Sequence, residues 1–110
     1  KIQTGLALDT AAQKKILARA SNLVARELGK PESYVMVAFA PTHSMLFAAT
    51  DAPCAYLELK SIGLPKTKTG TISKSLCHLV SEEMHIPAER VYIEFANAEG
   101  PMWGWDNGTF

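Results

Sequence analysis

The sequence has no surplus of charge of either sign: 11 Lys and Arg stand against 11 Asp and Glu in 110 residues. Nucleic-acid binders draw affinity from a basic surplus, so that class of function is excluded. Long apolar runs are missing too. The longest, Tyr34 to Ala40, falls far short of the roughly 20 residues that span a bilayer. No charged start leads into an apolar stretch with a small-residue cleavage site, so no signal peptide is expected. Cysteine is scarce, and Cys54 and Cys77 stand 23 positions apart. Both read as free, buried thiols of a reducing compartment. Metal ligands are equally thin. His78 and His85 lie on one expected helix face, about 10 Å apart by helical rise, too far to share an ion. His43 stands alone in a loop, and no metal is expected. Even an initiator Met is absent: the chain opens Lys1-Ile2-Gln3-Thr4, so something is expected to have been removed.

What is present is a core. Hydrophobic residues make up 47% of the chain, enough for one self-sufficient domain without a disulfide or metal staple. Zero net charge also leaves nothing to hold copies apart. Thr10 and Gln13 have capping-box spacing, and Ile16, Ala20, Leu23, Val24 and Leu28 follow at helical intervals. The first helix is therefore predicted from about Thr10 to Leu28, closed by Gly29 and Pro31. A strand is predicted over Tyr34–Phe39, ended by Pro41. Met45 to Ala48 reads as a minor strand. Cys54 to Ser61 reads as a strand, Gly63 to Gly70 as a loop, and Thr71 to His85 as a second helix stopped by Pro87. Val91 to Phe95 is the next strand, and Asn107-Gly108 marks a turn in the tail.

The two halves, about 1–50 and 51–110, align without a gap at an offset of 56. Ile16 falls on Ile72, Val24 on Val80, Pro31 on Pro87, Val37 on Ile93 and Phe39 on Phe95. Shared helical period explains the helix pairs but not the shared Pro and Phe, so an internal duplication of a βαβ unit is expected. By the same offset the first strand is short by about three residues, the counterparts of Cys54-Ala55-Tyr56. The expected architecture is α+β, a two-layer single domain: a four-stranded sheet with both helices on one face. Val35 to Phe39 is apolar at every position, so both faces of that strand want burial. A second subunit is the natural cover, giving a symmetric oligomer.

Several segments, in order, resemble the macrophage migration inhibitory factor family. They are Gly29-Lys30-Pro31-Glu32-Ser33-Tyr34-Val35-Met36, Asp51-Ala52-Pro53-Cys54-Ala55, Leu59-Lys60-Ser61-Ile62-Gly63, Pro87-Ala88-Glu89-Arg90-Val91-Tyr92-Ile93 and Trp103-Gly104-Trp105-Asp106-Asn107-Gly108-Thr109-Phe110. The resemblance covers essentially the whole chain and is weakest over residues 1–20. It implies the tautomerase fold, a homotrimer enclosing a channel. It also implies a cofactor-free keto–enol tautomerase acting on small aromatic α-keto acids such as phenylpyruvate, and on dopachrome-type compounds. In that family the acid–base group is an N-terminal proline. No such proline stands in this sequence. Counting along the motif puts it about three residues before Lys1, the same gap the repeat leaves.

The resemblance carries over the rest of a pocket. Lys30 matches the lysine that holds the substrate carboxylate and lowers the proline's pKa; on its own it reads as a cation suited to a helix end. Ser61 and Ile62 match the strand edge that meets the carboxylate. Tyr92 matches a tyrosine supplied by the neighbouring subunit. Tyr34, Trp103, Trp105 and Phe110 match the aromatic end of the pocket, though each also reads as an ordinary core or contact aromatic. Glu94 departs from the family: the position is Asn in the best-known members, and a carboxylate cannot donate a hydrogen bond unless protonated. The family's Cys-x-x-Cys is here Cys54-Ala55-Tyr56-Leu57, so thiol–disulfide chemistry is not expected.

A cytokine-like protein that engages a cell-surface receptor, with a vestigial pocket, is the alternative the family offers. The expected location is then the cytoplasm, or outside the cell by a non-classical route. A ferredoxin-like RNA binder would share the repeat pattern, but the strands lack basic–aromatic alternation.

Overall fold

The structure is a computed structural model and describes all residues except Pro41 and His43. The strand stop assigned to Pro41 and the loop position of His43 lie outside the described residues. In chain order the elements are β1 (Ile2–Thr4), α1 (Thr10–Leu28), β2 (Ala55–Ile62), α2 (Thr69–Met84), β3 (Val91–Ala98), β4 (Gly104–Trp105) and β5 (Gly108–Thr109). Single 3-10 turns precede the strands or join elements at Glu32–Tyr34, Lys66–Lys68, Ala88–Arg90 and Gly100–Met102.

Both helices form where their apolar stripes lie. Ile16, Ala20, Leu23 and Val24 of α1 are buried, as are Ile72, Leu76, Leu79, Val80 and Met84 of α2. They share one core with Ile2, Ala55, Leu57 and Val91 of the sheet. Full burial of such aliphatic side chains stabilises by roughly 1.5–3 kcal/mol each. The cap of α1 is Asp9 rather than Thr10: its Oδ1 accepts from the Ala12 N–H at 2.7 Å. Gln13 reaches back to the Leu8 carbonyl at 2.9 Å. Aspartate prevails because a carboxylate also meets the positive end of the helix dipole.

At the far end Gly29 turns into the left-handed region (φ 63°), and the Lys30 N–H bonds to the Ala25 carbonyl at 2.9 Å. That closing turn needs a residue tolerant of positive φ. At the corresponding end of α2, His85 adopts φ 56°. It therefore caps the helix instead of riding on its face beside His78, which pairs with Glu82.

In the sheet β2 lies between the other two long-range partners. β1 runs antiparallel to it, with Ile2 opposite Leu57 and Thr4 opposite Ala55. β3 runs parallel to it, with Ala55 opposite Val91, Ser61 opposite Asn97 and Ile62 opposite Ala98. Alternation turns Ala55, Leu57, Leu59 and Ser61 towards the helices. It leaves Tyr56, Glu58, Lys60, Tyr92 and Glu94 on the open face.

The expected fourth strand, Tyr34–Phe39, is not a regular strand. Tyr34 belongs to a 3-10 turn, and Phe39 makes only an isolated parallel bridge with Ile2. The Ile2 N–H donates to Ala38 at 2.9 Å and its carbonyl accepts from Ala40 at 2.8 Å. The Lys1 carbonyl instead accepts from Glu58. A strand spends alternate residues on opposite neighbours, so three-residue β1 bonds this segment through Ile2 alone. The segment still holds the fourth position in the sheet. Val35, Val37 and Phe39 pack on the core, whereas Met36 is 91% exposed.

Met45 to Ala48 is likewise no strand. Phe47 and Thr50 exchange two backbone hydrogen bonds around Ala48 and Ala49, both at positive φ (52° and 61°). The tail hairpin turns one position earlier than predicted: Asp106 and Asn107 carry the positive φ values, and Gly108 opens β5. Two-residue hairpins of type I′ require positive φ at both central residues, and Asp-Asn satisfies this as Asn-Gly would.

Candidate active site

The closing turn of α1 places Lys30 at the carboxyl end of β2. Its ammonium donates to Ser61 Oγ at 2.9 Å and to the Ile62 carbonyl. Ser61 is buried and Lys30 and Ile62 are half-buried. Among the described residues Lys30 makes no ion pair, so this cation has only neutral partners and keeps one N–H donor. Lys30, Ser61 and Ile62 are thus brought together, 31 positions apart in the chain at the first contact.

The aromatic residues assemble close by in sequence and fold. Tyr34 follows Lys30 across a single 3-10 turn. The tail hairpin leaves the carboxyl end of β3, whose Ala98 lies opposite Ile62. Tyr34 meets Trp105 edge-on at 5.8 Å and Phe110 at 5.6 Å, and Trp105 stacks on Phe110 at 5.4 Å between centroids. Trp103 is half-buried at the base of the hairpin, and its carbonyl accepts from the Phe110 N–H at 3.1 Å. A cation and an aromatic cluster therefore both gather at the carboxyl ends of the two parallel strands, where open sheets hold ligands.

Tyr92 and Glu94 lie elsewhere in the same chain. They sit opposite Tyr56 and Glu58, about 17 and 10 Å along β2 from Ser61 at strand rise. Tyr92 packs edge-on against Phe47 at 4.8 Å. Glu94 accepts a hydrogen bond from the Tyr56 phenol. That bond, reinforced by burial and the negative charge, pushes the Tyr56 phenol up to about 12. Glu58 is held below the ordinary carboxylate range mainly by Lys1, whose ammonium lies 3.3 Å away. The Lys1 main-chain nitrogen donates to the Glu58 carbonyl at 2.8 Å.

Three residues escaped the sequence reading. Tyr56 holds Glu94. Arg90 fastens the Phe47–Pro53 loop through its Nε and both Nη atoms, which donate to four backbone carbonyls. Asn97 accepts from the Leu64 N–H at 2.8 Å. Only Tyr56 had a local signal, its place on the same strand face as Glu58. Among the described residues no group of three or more His, Cys, Asp or Glu could hold a metal ion. Cys54 is buried, Cys77 half-buried, and both are free. Among the described residues no helix is long and apolar enough to cross a membrane.

The family model for macrophage migration inhibitory factor (MIF) matches residues 1–110. The chain belongs to the macrophage migration inhibitory factor family. A MIF homolog of Brugia malayi is 42% identical over 96 residues, covering 86% of this chain and 83% of that protein. Mouse MIF is 36% identical over 95 residues, again covering 86% and 83%. Among solved structures, a MIF homologue from Prochlorococcus marinus superimposes with a TM-score of 0.92 at 35% identity, covering 99% of this chain and 96% of that one. MIF from Toxoplasma gondii gives 0.92 at 32%, with the same coverage. The fold is therefore the tautomerase fold of MIF proteins, a mixed sheet with two helices on one face.

Proposed function

We propose that this MIF-family chain is a cofactor-free keto–enol tautomerase for aromatic α-keto acids of the phenylpyruvate and dopachrome type. The observation that carries the reading is the Lys30 ammonium on Ser61 and Ile62, a cation with no ion pair among the described residues, beside an aromatic cluster. It suits the carboxylate of an α-keto acid whose chain ends in an aryl group. In the antiparallel register of β1, where Ile2 faces Leu57, a strand residue three positions ahead of Lys1 would stand opposite Ser61. A proline there would bring its secondary amine beside Lys30. An α-amino group titrates at about 8 when unperturbed, and a neighbouring cation and desolvation both lower that value. The neutral amine would take a proton from the carbon next to the carbonyl, leaving an enolate, and the resulting ammonium would return that proton to the enolate oxygen, giving the enol and the neutral amine again.

Tyr92 and Glu94 then serve the pocket of a neighbouring copy in a homotrimer, which agrees with their distance from Ser61. The open sheet face and the exposed Met36 and Leu46 favour such an assembly. Glu94 offers acceptors only, so a substrate with a ring hydroxyl suits it better than a bare phenyl ring. The test is enolisation of phenylpyruvate and hydroxyphenylpyruvate by protein carrying its native terminus. Lys30→Met should lower kcat/KM by about 10- to 100-fold, the loss of one charge-assisted hydrogen bond. Absence of turnover in protein whose terminal proline is confirmed by mass spectrometry rejects the reading.

A second role is a cytokine-like one at a cell-surface receptor, favoured by the vertebrate relatives' name, macrophage migration inhibitory factor. Receptor binding that survives Lys30→Met would separate that role from the pocket.

A further inference from the structure

The chain leaves β2 through a turn whose two successive peptide units are both tied to β3. The Gly63 N–H donates to the Ala98 carbonyl at 3.2 Å. The Leu64 N–H donates to Asn97 Oδ1 at 2.8 Å. Between them Gly63 sits at φ 63° with no heavy atom near its missing Cβ. The peptide unit that carries the Gly63 N–H also carries the Ile62 carbonyl, the acceptor for the Lys30 ammonium. Glycine has the freedom to leave the left-handed region at little cost. Its conformation here is imposed by the ties on either side, and one of the two is a side chain.

We propose that Asn97 is a positioning residue for the anion site: by holding the Leu64 N–H it fixes Gly63, and through Gly63 the Ile62 carbonyl that aims Lys30. This deepens the tautomerase reading, since it assigns the residue that sets carboxylate recognition at that site. Asn97 stands opposite Ser61 in the parallel register, so both side chains act at the same level of the sheet. One accepts from Lys30 directly and the other acts through backbone. A leucine at 97 keeps the size and removes the acceptor. An aspartate keeps the acceptor.

The experiment is a comparison of wild type, Asn97→Leu and Asn97→Asp by phenylpyruvate titration, read by tryptophan fluorescence and independent of turnover. The carboxylate-free phenylacetaldehyde is the control ligand. Asn97→Leu should bind phenylpyruvate about tenfold more weakly, with phenylacetaldehyde binding unchanged, as expected when one aimed charge-assisted bond is impaired. Amide exchange at Leu64 should accelerate in the same variant, and Asn97→Asp should restore slow exchange. Equal loss of both ligands would make Asn97 merely structural, and unchanged phenylpyruvate affinity would overturn the inference outright. Wild type that binds phenylpyruvate without enolising it refutes the activity and leaves the role of Asn97 standing. Wild type that does not bind it refutes both.

Discussion

Arg90 offers the sharpest test of how the fold is fastened. Its guanidinium donates to the carbonyls of Ala52 at 2.8 Å and Pro53 at 3.0 Å, to Phe47 twice at 3.2 Å, and to Thr50 at 3.4 Å. It also lies 5.2 Å from the Phe47 ring centroid. Hydrogen bonds from a charged donor contribute about 1.5–3 kcal/mol when well shielded. Here the contacts are partly or fully exposed, so two good bonds and a cation–π contact together give about 2–3 kcal/mol. The loop they hold carries Ala48 and Ala49 at positive φ, and left-handed alanine costs about 1–2 kcal/mol each. Without Arg90 the two Phe47–Thr50 backbone bonds remain to oppose that strain. Arg90→Ala should therefore lower the urea-derived stability by about 2–3 kcal/mol, or Tm by about 10 °C for a domain of this size. Arg90→Lys should recover little, because one ammonium cannot span four carbonyls. Amide exchange should quicken first at Phe47 and Thr50, which exchange the hairpin bonds. A loss under 0.5 kcal/mol in Arg90→Ala would refute the reasoning.

Further outcomes follow from the caps and charges. Gly29→Ala should cost about 1 kcal/mol and His85→Gly should stabilise by a similar amount, because both positions have positive φ; chemical denaturation of the two variants, with opposite signs expected, checks this. Hydrogen bonds from Arg19 hold the Glu82 and Glu83 carboxyls below their ordinary range. Their contribution is present above the unfolded carboxylate value of about 4.3 and lost as pH falls below it. Urea midpoints of Arg19→Gln and wild type should therefore converge on acidification from pH 6 to 3, and parallel curves would refute the assignment. Removing the Glu94 charge with Glu94→Gln should bring the Tyr56 phenol down from about 12 towards its usual value of about 10. The absorbance difference against Tyr56→Phe reads it. Because the folded value is raised, the associated stability holds below about pH 10 and fades as pH climbs towards the folded value.

The helices were legible because their signal is local: apolar residues every three or four positions, a capping carboxylate, and a glycine at the end. The 56-residue offset also has geometric counterparts, in the left-handed residues Gly29 and His85 and in the 3-10 turns Glu32–Tyr34 and Ala88–Arg90. Strand identity was harder. Val35 to Phe39 has every local mark of a strand, yet pairing belongs to the partner, and β1 supplies one bonded residue. Lys30, Ser61 and Ile62 were readable only through their motifs, since nothing in composition says that a helix end meets a strand end. Asn97 and Arg90 act on backbone 33 to 43 positions away. Contacts of that kind leave no periodicity to read.

The bond between Lys30 and the end of β2 has an entropic consequence. A lysine side chain free in solvent carries about 1.5–2 kcal/mol of rotamer entropy, which a ligand must ordinarily remove on binding. Here Ser61 and Ile62 take two of the three ammonium donors within the fold itself, so folding has already removed that freedom. The remaining N–H has a settled direction. An anion arriving there meets a donor that is already still.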